Sequence, residues 1–330
     1  MTKNREYAFD ILRVISMIMV IIIHVANIYC RSFNIISNHS YLISLTFNTI
    51  CRISVPIFFM ISGTLLLDRK FNKEKYIKRL LKYIILIIVW DIIYLVWEYF
   101  YLGVTYDKLY RLIFDPYRAH LWFLYTILIL YAIQPLLKWI MDKSNTKIKV
   151  FLLTIWILLS AASMLNPYIA KFFTIFSYIG YFVIGKYLYD FIKDYNFKKY
   201  NIFLILIMII CYTLSIIMNY SISIKLNQFY NMFFAYRAPF IILASFAFYI
   251  LIISNYKKDN INKICIELSD VSLGVYLIHG IFLDVTAKVF IYSSFNSLIG
   301  IPLFTIIIFI SSILSTIILK RIKYIKSIVT

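Results

Sequence analysis

The sequence predicts an all-α integral membrane protein of about ten transmembrane helices with both termini in the cytoplasm. Hydrophobic residues make up 62% of the 330 and charged residues 15%, against roughly 45–50% and 25% in soluble domains. Apolar runs of about 18 or more residues recur from end to end, each long enough to cross a bilayer. Basic residues cluster between those runs with a strong bias to one side.

The spans fall near 8 to 29, 43 to 67, 82 to 102, 120 to 140 and 149 to 166, then 171 to 190, 201 to 220, 232 to 254, 270 to 292 and 298 to 319. An even number puts both ends on one side. With the N-terminus inside, 24 of the 34 Lys and Arg residues fall in inner connections, six in outer ones, and four within spans: Arg13, Arg52, Arg237 and Lys288. That ratio fits the accumulation of basic residues in cytoplasmic loops and fixes both orientation and span number. Lys3 and Arg5 ahead of an apolar stretch imitate a secretory signal, but the stretch contains Arg13, continues past Val25 and lacks a small-x-small cleavage site, so it reads as a retained helix.

The formal charge of +19 does not indicate nucleic acid, because the basic residues lie in short clusters and form no stripe with stacking aromatics. Cys30, Cys51, Cys211 and Cys265 have no paired CxxC spacing, so neither a zinc site nor a redox motif is indicated. Whether Cys30 and Cys51 pair is left open. The longest outer connection, about 103 to 119, is too short for a core of its own. Residues 1–330 therefore read as a single transmembrane domain, whose chemistry must use membrane helices and short loops. Abundant isoleucine, lysine, asparagine and tyrosine suggest an AT-rich bacterial genome, and hence a bacterial cell membrane.

An ionisable group near the centre of a membrane helix costs about 2.5–3.5 kcal/mol, so each is read as facing a cavity or a partner. Arg13 and His24 are eleven residues apart, about three turns, which puts them on nearly one face and about 16 Å apart along the axis. Asp10 shares that face. Arg13 falls near the cytoplasmic boundary and His24 near the outer one, so one polar stripe links the two sides. The plainer alternatives are an Arg13 that snorkels to inner headgroups beside Asp10, and a His24 satisfied at the interface.

The second span runs the opposite way. Arg52 reaches nearly the depth of His24, and Ser62-Gly63 nearly that of Arg13, where small residues let a helix or a ligand approach closely. Glu98, Arg118, His120, Trp122, Arg237, Asp284 and Lys288 belong to the outer level, whereas Asp91 and His279 lie deeper. Some of these are expected to be structural pairs, and Trp122 also suits a membrane interface. His39, in an outer loop, reads as solvated.

Asp10-Ile-Leu-Arg13 followed by His24 resembles the opening motif of the membrane-bound acyltransferase-3 family, an arginine, ten residues and a histidine. Val55-Pro56-Ile57-Phe58-Phe59-Met60-Ile61-Ser62-Gly63, His120-Leu121-Trp122-Phe123-Leu124 and Ser272-Leu273-Gly274-Val275-Tyr276-Leu277-Ile278-His279 follow in the family's order. Arg52 before the Val-Pro-Ile-Phe-Phe run looks most like the branch of surface-polysaccharide O-acetyltransferases. Many relatives append an extracytoplasmic SGNH domain; none is expected here.

The resemblance implies an acyltransferase that moves an acyl group, commonly acetyl, from cytoplasmic acyl-CoA to a hydroxyl of an envelope polysaccharide or lipid-linked glycan precursor. His24 is then the general base, or alternatively a transient acyl carrier. Asp10, Arg13, Ser62, Gly63 and Arg69 take the donor side. Arg52, Glu98, His120, Trp122 and Arg237 take the acceptor or oxyanion side, Arg52 either stabilising an oxyanion or holding a sugar carboxylate. Asp91 and His279 support the site from behind. No metal and no permanently bound cofactor are expected; acetyl-CoA or another acyl-CoA is a co-substrate, and the lipid bilayer and a glycan acceptor are the partners. A homo-oligomer is left open. A polysaccharide or small-molecule exporter of the same fold is the rival reading, because membrane charges also mark transport paths, although no inverted repeat is seen in the sequence.

Overall fold

The structure is a computed structural model that describes residues 6–103, 118–165, 167–256 and 262–322. Basic residues at 3, 5, 108, 111, 257, 258, 323 and 326, counted above for orientation, lie outside these. Eleven α-helices are present among the described residues: α1 (Tyr7–Arg31), α2 (Asn38–Cys51), α3 (Ser54–Leu67), α4 (Lys73–Trp97), α5 (Trp122–Lys143), α6 (Thr146–Ala162), α7 (Pro167–Asp194), α8 (Asn201–Leu226), α9 (Pro239–Asn255), α10 (Lys263–Val289) and α11 (Ser297–Arg321).

Polar side chains set where several helices begin. Ser37, Asn72, Asn145, Asn262 and Asn296 each occupy the N-cap of α2, α4, α6, α10 and α11, and each accepts a hydrogen bond from a backbone N–H of the first turn. Such a cap satisfies one of the donors that a helix start leaves unpaired. At its other end α4 continues as a π-helical turn, Glu98–Leu102, stopped by Gly103 in the left-handed conformation, φ 69°.

The ten expected spans correspond to these helices, with one refinement. Arg52 and Ile53 interrupt the second, so that α2 and α3 are two rods in sequence. Pro56 stands in the first turn of α3, where its missing N–H is harmless. Eight helical segments among the described residues are long and apolar enough to cross a membrane, α2–α3 counted as one; α6, of 17 residues, and α7, of 28, occupy the other two expected positions.

Helix α1 packs against α2, α3, α10 and α11, and so lies in the interior of the bundle, while α3 packs along α7. Phe59, Tyr181, Phe182 and Tyr249 are wholly buried in the largest apolar cluster. Outward faces are apolar as well: on α8, Ile202 is 76% and Phe203 62% exposed, as befits contact with lipid chains instead of water.

Gly63 belongs to the packing. A Cβ placed on it would collide with the backbone carbonyl of Phe182, and a Cβ on Gly185 would meet the Met60 backbone. Small residues here let α3 and α7 approach at backbone distance. Gly63 therefore does not open space for a donor, as expected from sequence; it closes a helix pair.

Candidate active site

At the Arg13 end, Asp10 is buried, 1% exposed, and its carboxylate accepts from Arg13 Nη1 at 3.2 Å and from the Ser269 hydroxyl at 2.7 Å. A carboxylate out of water needs such donors, and they turn the Arg13 guanidinium toward a cavity of about 280 Å³. Ser62, Arg69, Arg79, Tyr131, Ser272 and Tyr276 also line this cavity; Arg79 and Tyr131 belong to no motif read from the sequence, whereas Ser272 and Tyr276 stand in one without an assigned role. The Arg79 guanidinium lies 5.6 Å from the centroid of the Tyr131 ring.

Tyr276 links this cavity to the histidines. Its hydroxyl donates to the backbone carbonyl of His120, and its ring lies 6.1 Å from that of His120 and 5.8 Å from that of His279. Beyond it, three of the four histidines of the chain converge. Ring centroids are 5.0 Å apart for His24 and His279, 5.0 Å for His120 and His279, and 6.2 Å for His24 and His120. They come from α1, from the turn before α5, and from α10.

Packing fixes two of these rings. Tyr94 donates to the Leu277 carbonyl at 2.7 Å and sets its ring 4.8 Å from that of His120. A methyl group at Gly280 would stand 2.6 Å from His120 Cε1, so glycine makes room for the imidazole. The His279 Nδ1 donates to the Tyr276 carbonyl at 2.5 Å, which places the proton of the neutral ring there and leaves Nε2 with its lone pair. His120 and His279 are buried, 7% and 1% exposed, and the Nε2 of each has no hydrogen-bond partner among the described residues. His24 is half-buried, which makes it the accessible member. No group of His, Cys, Asp or Glu among the described residues is arranged to hold a metal ion.

Around this chamber the other expected residues divide. Arg118 is held by Glu98, at 2.8 Å, and by Asp284, which also accepts from the Trp97 indole at 3.1 Å. Glu98 is thus the partner of a cation. Asp91 accepts from the Tyr125 hydroxyl, a pairing between α4 and α5. Lys288 donates to the Tyr101 carbonyl at 2.9 Å. Arg52, at the break between α2 and α3, donates from Nε to Asn48 at 2.8 Å and lies 4.5 Å from the Phe234 centroid. Trp122 stacks obliquely on Tyr178 and Tyr236, centroids 5.1 and 5.7 Å away. The Nε of Arg237 is buried without a partner. Cys30 and Cys51 are both free; the Cys30 thiol bonds to Ser44 Oγ at 3.4 Å.

Helices of this length and apolarity, closed around arginines and histidines, make the molecule a multi-pass membrane protein with a polar interior. The acyltransferase-domain family Acyl_transf_3 matches residues 6–321, and the chain belongs to it, a membrane acyltransferase. No curated protein and no solved structure matches the chain.

Proposed function

We propose that the protein is an O-acyltransferase of the bacterial cell membrane, carrying an acetyl group from cytoplasmic acetyl-CoA to a hydroxyl of an envelope glycan or lipid-linked glycan precursor. The observation that carries this reading is an adjacency: Tyr276 lines the arginine-lined cavity and is also in ring contact with His120 and His279, which cluster with His24. Arg13, Arg69 and Arg79 on the cavity wall suit the phosphates of a coenzyme, which guanidinium groups bind through charge-assisted hydrogen bonds. The apolar part of the lining suits its extended arm, with the thioester brought up to the histidines.

His24 then acts as general base. As the acceptor oxygen attacks the thioester carbonyl, its proton passes to the imidazole; the tetrahedral intermediate collapses with cleavage of the C–S bond, and the thiolate takes the proton back. The products are the ester and free coenzyme, with no net change at His24. An imidazole suits the task because its neutral form carries a nitrogen lone pair that can accept the proton. His120 and His279, fixed by Tyr94, Gly280 and the Tyr276 carbonyl, hold the ring in place.

The reading is tested with the protein purified in lipid nanodiscs, supplied with ¹⁴C-acetyl-CoA and envelope glycans from a strain lacking it. The expected result is label in the glycan and a gain of about 42 daltons per modified hydroxyl, one acetyl replacing one hydrogen. Glycan that crosses the membrane without gaining label would instead mark an exporter.

A further inference from the structure

Three of the arginines at the end of the bundle that carries His24, namely Arg52, Arg118 and Arg237, are not alike. Arg118 is matched by two carboxylates, Glu98 and Asp284. Arg52 and Arg237 form no ion pair with any described carboxylate. Arg52 spends one N–H on the neutral Asn48 amide oxygen, 2.8 Å away, and one on the Tyr236 hydroxyl at 3.5 Å, which leaves donors of its five uncommitted. The buried Nε of Arg237 has no hydrogen-bond partner among the described residues. The Arg52 guanidinium lies 5.5 Å from the centroid of the Tyr236 ring, and Tyr236 immediately precedes Arg237, so the two arginines flank one tyrosine.

Two like charges held together within a membrane protein repel, and each is costly away from water. A neutral occupant relieves neither penalty. An anionic one relieves both, and the planar forks of arginine suit carboxylate or phosphate oxygens. The surroundings specify more than charge. The rings of Trp122, Tyr178 and Tyr236 lie 5.1–6.3 Å from one another, and such faces, electron-rich at the centre, receive the C–H side of a sugar ring. Trp122 is two residues from His120, whose ring lies 6.2 Å from that of His24, so a sugar on Trp122 has its hydroxyls near the base.

We infer that the acceptor is an acidic glycan, with a carboxylate or phosphodiester near the acylated hydroxyl, held by Arg52 and Arg237 over the rings of Trp122, Tyr178 and Tyr236. This rests on the proposed acyl transfer for its role, though not for its binding.

Binding is measured without any acyl donor, by calorimetric titration of the nanodisc protein with tetragalacturonate, its methyl ester and a hexamer of glycerol phosphate. The expected result is at least tenfold tighter binding of one anionic oligomer than of the neutral ester, and which one binds identifies the source of the charge. The preference is expected to fall below threefold in R52Q/R237Q and to persist in R52K/R237K, which keeps both charges and guards against simple misfolding. Equal binding of charged and neutral forms, or a preference that survives in R52Q/R237Q, overturns the inference. Acetyl transfer measured on the same samples separates the two claims: transfer to a neutral glycan with no anionic preference overturns the acidic acceptor alone, whereas anionic preference without transfer to any glycan sustains this site and removes the proposed reaction.

Discussion

Replacing His24 by alanine separates chemistry from packing, because the two contributions differ in size. A positioned general base contributes about 10²–10⁴-fold to rate, or about 2.7–5.4 kcal/mol at 1.36 kcal/mol per tenfold. In structure, the variant loses the ring contacts to His279 at 5.0 Å and His120 at 6.2 Å; an aromatic pair is worth about 0.5–1.5 kcal/mol, which makes about 1–3 kcal/mol for two. The alanine protein should therefore still fold while losing two to four decades of activity. The assay is the initial rate of label transfer from ¹⁴C-acetyl-CoA, normalised to the folded fraction read from thermal unfolding in detergent. His24→Gln, which fills the space without a titratable nitrogen, should lose as much activity and less stability. Transfer by folded His24→Ala within threefold of the parent protein would refute the assignment of His24 as base.

Asp10→Ala should raise the KM for acyl-CoA about tenfold or more with little change in kcat, since it removes a charge-assisted hydrogen bond that orients Arg13; steady-state kinetics over donor concentration checks this. Gly63→Ala should cost about 1–3 kcal/mol in unfolding experiments, because the Phe182 carbonyl it meets is backbone and has nowhere to go. Asp68, just past the end of α3, is held below the usual carboxylate range chiefly by the hydrogen bond from Lys186, 2.5 Å away. A lowered folded-state pKa stabilises above the unfolded value and is lost as pH falls through the folded one, so thermal stability should decline below about pH 4. Asp68→Asn should flatten that decline by at most about 1 kcal/mol, as the carboxylate is largely exposed. All four cysteines should be alkylated after denaturation without reductant, each adding one label by mass spectrometry, as none is in a disulfide among the described residues.

The helices were legible because each membrane span needs an unbroken apolar run and each connection a polar one, a signal that survives without any knowledge of packing. The break at Arg52-Ile53 was not, since the apolar run passes through it and Pro56 is harmless in a first turn. Arg13, Arg52 and His24 stood out as charges too costly for lipid. Their company did not: His279, expected behind the site, lies in ring contact with His24, because the crossing of α1 and α10 is set by side-chain packing that no periodicity records. Likewise Glu98 was visible as a buried acid, but that it serves Arg118 jointly with Asp284 depends on three separate segments meeting. Arg79 was one of seven basic residues between 69 and 82, and nothing in its spacing marks it as lining the cavity beside Arg69. Gly63 shows the converse, a residue noticed for the right reason, closeness of approach, and assigned the wrong neighbour.

Tyr276 has two sets of neighbours at once. It lines the arginine-lined cavity, and its ring lies beside the imidazoles of His120 and His279. On the proposed function the layer of aromatic rings to which it belongs, with Phe123 5.5 Å away, stands between a substrate made on one side of the membrane and one that waits on the other. The coenzyme need never cross, and neither does the glycan: each travels part of the way, and only the acetyl group passes the ring.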